Sequence, residues 1–340
     1  MTRIGQNPAK LGTKSYQPLK LGIATVTYIP SQEGYFRDSL AILKLTLDSF
    51  VKNTSEPFDL LVFDNGSCVE IKNELAKLHQ EGVIRWLVLS GENLGKTGAQ
   101  NWIFSAMPNE WICYTDSDVL FRKGWLEASR EIIRHFPSAG MVGAQPCFFD
   151  VLKGKGQAHL PLLSSDEYSL KSYMPKKSII EEYCRGINAA PELAAKYNAG
   201  RLGMIQFKKD GFQAGLGASH MQFLIPSELA RRIQPLPYLS GLSQEEDRQL
   251  DLRIDQTGAL HLSTLKSYVV HMGNVMDDWV RELTSGAGVD LDHSDRIQMT
   301  KPKISSHRMY GLDWLAQHKW SRSWLLRLYN KLFQILSDQK

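Results

Sequence analysis

The residues with the clearest capacity for chemistry are Asp116, Ser117 and Asp118, which close the apolar run Trp111-Ile112-Cys113-Tyr114 and lead into Val119 and Leu120. Such a run predicts a strand buried on both faces. Two carboxylates two apart at the end of an extended strand point the same way. Negative charges placed together at the edge of a core call for a compensating cation. A divalent metal with hard oxygen ligands, its shell completed by phosphate oxygens, meets that need. The same residues also suit a solvated Asp-Ser-Asp turn that caps the next helix. Their surroundings must separate the two readings.

A second acidic group, Glu245, Glu246 and Asp247, precedes a helical stretch that Gly258 closes. Acids there suit the positive end of a helix dipole, and Ser243 with Glu246 three later matches a capping box. A carboxylate fixed in that way can also take a proton from an attacking hydroxyl. Asp64, in Asp64-Asn65-Gly66-Ser67, and His271, after the apolar pair Val269-Val270, are the remaining candidates. The first also reads as an Asx-turn and the second as a structural histidine.

These side chains need a scaffold, and the apolar pattern supplies one. Residues 20–28, 58–63, 84–89, 111–114 and 140–144 read as strands. Helical spacing appears over 39–52, through Leu40, Leu43, Leu47 and Phe50, and a short helix carries Val69, Leu75 and Leu78. A helix through Trp102, Phe104 and Met107 follows the glycine-bearing loop 91–98, and another spans 125–136. Strand–helix alternation of this period predicts a mainly parallel sheet with right-handed crossovers. Ligands collect outside the carboxyl ends of such strands, where Asp64, the Asn93–Gly95 loop and Asp116/Asp118 all fall. From 146 to 211 the pattern degrades into an irregular insertion, apart from a short helix at 191–197. It resumes over 220–225.

The order of these elements resembles the family 2 glycosyltransferases of GT-A fold over about residues 20–275. The stretches that carry the likeness are TVTY from Thr25, FDNGS from Phe63, ENLGKTGAQN from Glu92, YTDSD from Tyr114, EED from Glu245 running on to Arg253 and Gly258, and His271. One position departs: that family often has a second acid two residues after Asp247, and here Gln249 stands there.

The resemblance implies an inverting transfer of sugar from a nucleotide-diphosphate donor, such as a UDP- or GDP-sugar, to a hydroxyl of a glycan or lipid-linked acceptor. It implies nucleotide contacts from Thr27, Tyr28, Asp64, Asn93, Gly95, Lys96, Asp116 and Ser117. Lys96 would serve equally as a solvated surface residue. Asp118, Asp116 and His271 would hold Mn²⁺ or Mg²⁺ against the diphosphate, as Lewis-acid chemistry requires. Asp247 resembles the general base, with Glu246 the other catalytic candidate; the charges of Glu245 and Glu246 beside it are expected to strengthen it as a base. Residues 1–19 read as a flexible tail, 146–211 as the acceptor region, and 276–340 as a C-terminal extension. A nucleotidyltransferase would also set acids at strand ends, but it wants a basic glycine-rich loop after the first strand, and residues 29–34 hold no Lys or Arg. A non-catalytic carbohydrate-binding or partner-binding module is the third class.

Composition narrows the setting. With 43% hydrophobic and 22% charged residues, the 340-residue chain has the balance of a soluble globular protein. A net charge of +4 provides no field for nucleic acid. The four cysteines lack C-x-x-C spacing and read as reduced thiols of a cytosolic protein. The N-terminal stretch has no apolar h-region, and no window approaches the ~20 apolar residues of a spanning helix. Residues 314–337 carry Lys319, Arg322, Arg327 and Lys331 with no acid. Trp314, Trp324, Leu325, Leu328, Leu332 and Phe333 share one helical face there. That pattern suits peripheral binding to the inner face of an anionic membrane, or packing against the catalytic domain.

Overall fold

The computed structural model describes residues 17–148, 165–238 and 245–284. β1 (Leu21–Thr27), α1 (Ser39–Asn53), β2 (Phe58–Asp64), α2 (Val69–Gln80), β3 (Trp86–Leu89), α3 (Gly95–Ala106) and β4 (Trp111–Asp116) alternate as the apolar pattern demands. The four strands pair in parallel in the order β3-β2-β1-β4. Successive side chains leave opposite faces of a strand, and here both faces are covered. Leu21, Ile23, Leu60, Val62 and Cys113 pack with Leu43, Leu47 and Phe50 of α1 and Ile71 and Leu75 of α2. Ala24, Leu61, Phe63, Ile112 and Tyr114 pack with Ala99, Ile103 and Phe104 of α3. Double burial is why these strands read as unbroken apolar runs.

After β4 come β5 (Val119–Phe121), α4 (Trp125–His135), β6 (Ala139–Gly143), β7 (Tyr168–Tyr173), α5 (Lys177–Gly186), α6 (Pro191–Ala199), β8 (Leu202–Phe207), β9 (Gln213–Leu216) and β10 (Gln222–Pro226). The described chain continues through α7 (Ser227–Arg232), α8 (Glu245–Asp255), β11 (Leu260–Ser263), β12 (Val269–His271) and α9 (Asp278–Thr284). The sheet extends beyond β4 in the order β10-β6-β11-β9-β8-β7. In that half only β6 and β11 run parallel. β12 and β5 form a separate antiparallel pair. The expected α/β class, a mixed sheet with a parallel half and flanking helices, is the observed one.

Two local expectations are corrected. The stretch read as irregular apart from a helix at 191–197 holds that helix as α6, and also β7, α5 and β8, within residues 165–211. Its strands are antiparallel and half wet: Tyr168 and Leu170 pack beside Phe136 and Ile205, while Ser169, Lys171 and Ser172 interrupt the apolar run. The second correction concerns Ser117 and Asp118, which form a turn rather than continuing β4. Asp116 and Asp118 therefore do not share one extended strand. Residues 1–16, Ser243 and the amphipathic stretch 314–337 lie outside the described residues, so the tail, the capping box and the membrane helix are not addressed by the structure. No described helix is long and apolar enough to cross a membrane.

Candidate active site

β1 lies between β2 and β4, so the connections on its two sides leave in opposite directions and open a crevice at the strands' carboxyl ends. A cavity of about 950 Å³ fills it, walled by Tyr28, Asn65, Asn93, Gly95, Lys96, Asp116, Ser117, Asp118 and Glu246. Tyr35 and Tyr238, both largely exposed, stand at its rim. That volume suits a small-molecule ligand.

Strand parity decides where each carboxylate goes. Asp116 shares a face with Tyr114, whose hydroxyl lies 3.4 Å from its Oδ1, and that face meets α3. There Lys96 Nζ sits 3.2 Å from Asp116 Oδ1 and 3.6 Å from Asp247 Oδ1. It also donates to the main-chain oxygen of His220 at 3.3 Å. A cation in the first turn of a helix opposes the helix dipole, so these acids must hold it. Burial works against the ammonium, yet Asp116 foremost, with Asp247, raises its pKa above the ordinary lysine value. Asp116 is itself shifted upward, chiefly by burial, with Lys96 opposing the shift.

Glu246 turns away from Asp247 to cap α3. Its Oε1 accepts the backbone N–H of Lys96 at 2.9 Å and of Thr97 at 3.5 Å. Burial raises its pKa, and those two amides counter the shift. Glu245 is occupied by Arg248 and by Gln249. The groups that face Asp247 are thus Lys96 and, at 3.7 Å, His220 Nδ1. Two basic side chains flank Asp247, beside the like charge of Glu246.

Asp118 heads the other way, to β12. Its Oδ2 lies 3.4 Å from His271 Nε2, and its Oδ1 is buried with no hydrogen-bond partner among the described residues. His271 Nδ1 is 3.0 Å from the Gly186 carbonyl, closer than the 3.2 Å from the Gly273 amide. A carbonyl only accepts and an amide N–H only donates, so the two contacts call for opposite tautomers; with the ring proton on Nδ1, toward the nearer carbonyl, an Nε2 lone pair faces Asp118. Two acceptors at that separation repel unless a cation or a second proton lies between them. A carboxylate and an imidazole, the latter oriented through its other nitrogen, fit a divalent ion that takes further ligands from phosphate oxygens and water. Among the described residues no three His, Cys, Asp or Glu side chains are grouped to hold a metal alone. Asp116, the third ligand the resemblance implied, faces Lys96 at 3.2 Å.

Asp64 and Thr27 belong to the face that meets α1 and α2, and they are 0% and 1% exposed. The Asp64 carboxylate accepts the Ser67 N–H at 3.3 Å from either oxygen, and Lys72 approaches to 4.0 Å. Neither residue is among those that wall the cavity. Asn65, itself only 3% exposed, lines the cavity: its Oδ1 accepts the Leu94 N–H at 2.8 Å and its Nδ2 reaches Asn93 Oδ1 at 3.0 Å. Gly66, at φ +93°, lets this turn lie against the Glu92–Asn93 backbone, where a Cβ would come within 2.9 Å. Sequence reasoning missed Asn65, His220 and Gly186. The first was visible only as turn chemistry, and the other two acquire their meaning from contacts distant in sequence.

Residues 35–190 match the family model described as glycosyl transferase family 2. The match spans just under half of the chain, from the turn after β1 through α5. It includes Asn93–Lys96 and Asp116–Asp118, and leaves out Thr27, Tyr28, Glu246, Asp247 and His271. The architecture is of the expected GT-A class. No curated protein sequence matches the chain. Among solved structures, residues 1–349 of S. aureus TarS align at 15% identity over 74% of this chain and 59% of that one, with a TM-score of 0.43. A complex of TarS 1–349 with UDP-GlcNAc aligns at 13% over 76% and 62%, TM-score 0.43. The mannosyltransferase PcManGT of Pyrobaculum calidifontis, in complex with GDP-Man and Mn²⁺, aligns at 13% over 74% and 56%, TM-score 0.42. The chain thus spans less than two thirds of the length of each of these three.

Proposed function

We propose that this chain transfers a sugar from a nucleotide-diphosphate donor, a UDP- or GDP-sugar, to an acceptor hydroxyl with inversion at the anomeric carbon. The observation that carries the reading is the convergence of the acidic turn Asp116–Asp118, Lys96 and Glu246 at one crevice, with Asp247 3.6 Å from Lys96 Nζ, within and beside the stretch that matches the family. Asp247 takes the proton of the acceptor hydroxyl while that oxygen bonds to the anomeric carbon. The bond from the anomeric carbon to the diphosphate oxygen breaks on the opposite face, through an oxocarbenium-like state. Lys96, between Asp116 and Asp247, brings positive charge to the departing diphosphate. Asp118 and His271 would hold Mn²⁺ or Mg²⁺, which supplies Lewis-acid stabilisation of the leaving nucleotide. The acceptor in this reading is a glycan or a lipid-linked saccharide, and the basic, Trp-rich 314–337 segment suits approach to an anionic membrane.

A panel of UDP- and GDP-sugars, assayed for release of nucleotide diphosphate with Mn²⁺ or with chelator, tests the reading. Metal-dependent release with an acceptor supports it. Pyrophosphate release would assign the site to nucleotidyl transfer, and silence across the panel to a binding module. Co-sedimentation with anionic liposomes, comparing the full chain with one ending at Asp313, tests the membrane part. Equal binding by both leaves the segment without that role.

A further inference from the structure

Asp247, Asp251 and Asp255 follow one another at four-residue intervals on α8 and so lie along one side of that helix. The side they share is turned to the sheet: Asp251 and Asp255 side chains are only 13% and 8% exposed. Three carboxylates in a row repel one another, and burial makes each charge costlier. The sheet answers with two histidines set between them. His220, just ahead of β10, places Nε2 2.8 Å from Asp251 Oδ1 and Nδ1 3.7 Å from Asp247 Oδ2. His261, in β11, places Nδ1 3.5 Å from Asp251 and Nε2 3.3 Å from Asp255. Acid and imidazole alternate from the cavity inward along the whole helix.

We infer that His220 is the positioning residue of Asp247, holding that carboxylate beside Lys96 against collapse onto it. This rests on the reading of Asp247 as the general base. A carboxylate is the acceptor for the short His220–Asp251 contact, so Nε2 carries the donated proton and the ring plane is fixed. Nδ1 then faces one oxygen of Asp247 while Lys96 faces the other. The charged groups turned to His220 include Asp251 and Asp247 from α8 and Lys96 from α3. Burial works against the imidazolium, but Asp251 and then Asp247 outweigh it and raise the His220 pKa. Lys96 is shared with Asp116 and cannot fix Asp247 alone. With the imidazole gone, Asp247 has one cation left, and the attraction draws it away from the acceptor.

The test uses the full chain with His220→Phe, which removes both donors, and His220→Gln, which can restore the bond to Asp251. Expected is a fall in kcat of about 10²-fold for the first, with donor KM nearly unchanged, and partial recovery in the second; misplacement of a reacting group by about 1 Å has that cost. A kcat within about twofold of wild type for His220→Phe, or a loss carried wholly by KM, would overturn the inference. Histidine NMR titration of wild type and Asp247→Asn reads the contact without turnover. The His220 ring should titrate above 6.5 and shift down in the variant, and an unmoved titration sinks the proposal even if the variants fail to fold. A wild type that transfers no sugar from any donor defeats the proposed function instead, and the titration still decides the contact.

Discussion

On the side of the sheet that α3 covers, the charges of the site close on themselves: Lys96 lies between Asp116 and Asp247, and Glu246 is spent on the amides of Lys96 and Thr97. On the side that β12 covers, Asp118 keeps a buried oxygen without a hydrogen bond and faces a histidine nitrogen whose partner atom is already bound. Two carboxylates two residues apart thus meet opposite treatments. The first is compensated by the protein's own cation, whereas the second keeps an oxygen that no described residue satisfies. The difference explains why D-x-D spacing alone could not tell a metal shell from a turn, since one aspartate here is tied to a lysine and the other is not.

The sharpest way to break that contrast is Asp118→Ala. Expected is loss of sugar transfer to background and loss of Mn²⁺ binding by calorimetry, with the thermal midpoint nearly unchanged. The side chain carries an unsatisfied oxygen rather than core volume, so the fold gives up little. Asp116→Ala should do the reverse in one respect: Mn²⁺ binding persists while the thermal midpoint falls, because Lys96 loses its nearest counter-charge. Equal loss of Mn²⁺ by both variants would merge the two sides into one shell.

Asp247→Asn comes next. The amide is isosteric but cannot accept the hydroxyl proton, so donor binding should persist while kcat falls by about 10²- to 10⁴-fold. A loss below about tenfold would move the base to Glu246 or Glu245. Both are already engaged, the first at the α3 amides and the second with Arg248 and Gln249.

Much of this was legible in the sequence where burial is two-sided. The runs ending at Asp64 and Asp116 give the strands, their alternation gives the crevice, and the crevice brings together Asn93, Lys96, Asp116 and Asp118. What escaped depends on direction rather than identity. Asp64 and Asn65 are adjacent, and only the pleat decides that the first faces α2 and the second the cavity. Glu246 and Asp247 are adjacent too, and the position of α8 against α3 sends the first to the α3 amides at the cavity wall and the second to Lys96 and His220. The antiparallel edge β7–β8 escaped because a strand wet on one side interrupts its apolar run with residues such as Lys171 and Ser172. His220 and Gly186 carry no local signal, because their partners lie 31 and 85 residues away.

Gly186 gives a smaller effect on the β12 side alone. It ends α5, and a Cβ there would come 2.2 Å from the His271 oxygen and 3.2 Å from its Cβ. The same residue's carbonyl orients the imidazole. Gly186→Ala must therefore shift β12 or withdraw the carbonyl, and either frees the ring. Loss of such an orienting contact typically weakens metal binding about 10- to 100-fold. Calorimetry with Mn²⁺ should show that loss while UDP or GDP binding without metal is retained. Unaltered Mn²⁺ affinity would mean that the ring needs no help from α5.

The smallest effect expected is a pH dependence of stability confined to the α3–α8 side. His220 is raised above 6.5 in the folded protein: burial opposes the charged ring, and Asp251 with Asp247 overcomes it. The folded state therefore binds this proton more tightly than the unfolded one. A group raised in this way contributes stability that is fully present below its unfolded value, about 6.5, and lost as pH rises through its folded value. Glu246 is raised as well, from 4.5, mainly by burial. Its contribution has the same sign but is lost at lower pH, as the carboxyl ionises. Above about pH 6.5, then, the thermal midpoint of the wild type should decline with pH, and His220→Gln should flatten that decline without reversing it. The measurement is a set of melting curves at fixed ionic strength, because screening alters exposed pairs more than buried ones. Parallel slopes in the two proteins would show that His220 changes protonation equally in both states. The imidazole would then contribute nothing to holding α8 on the sheet.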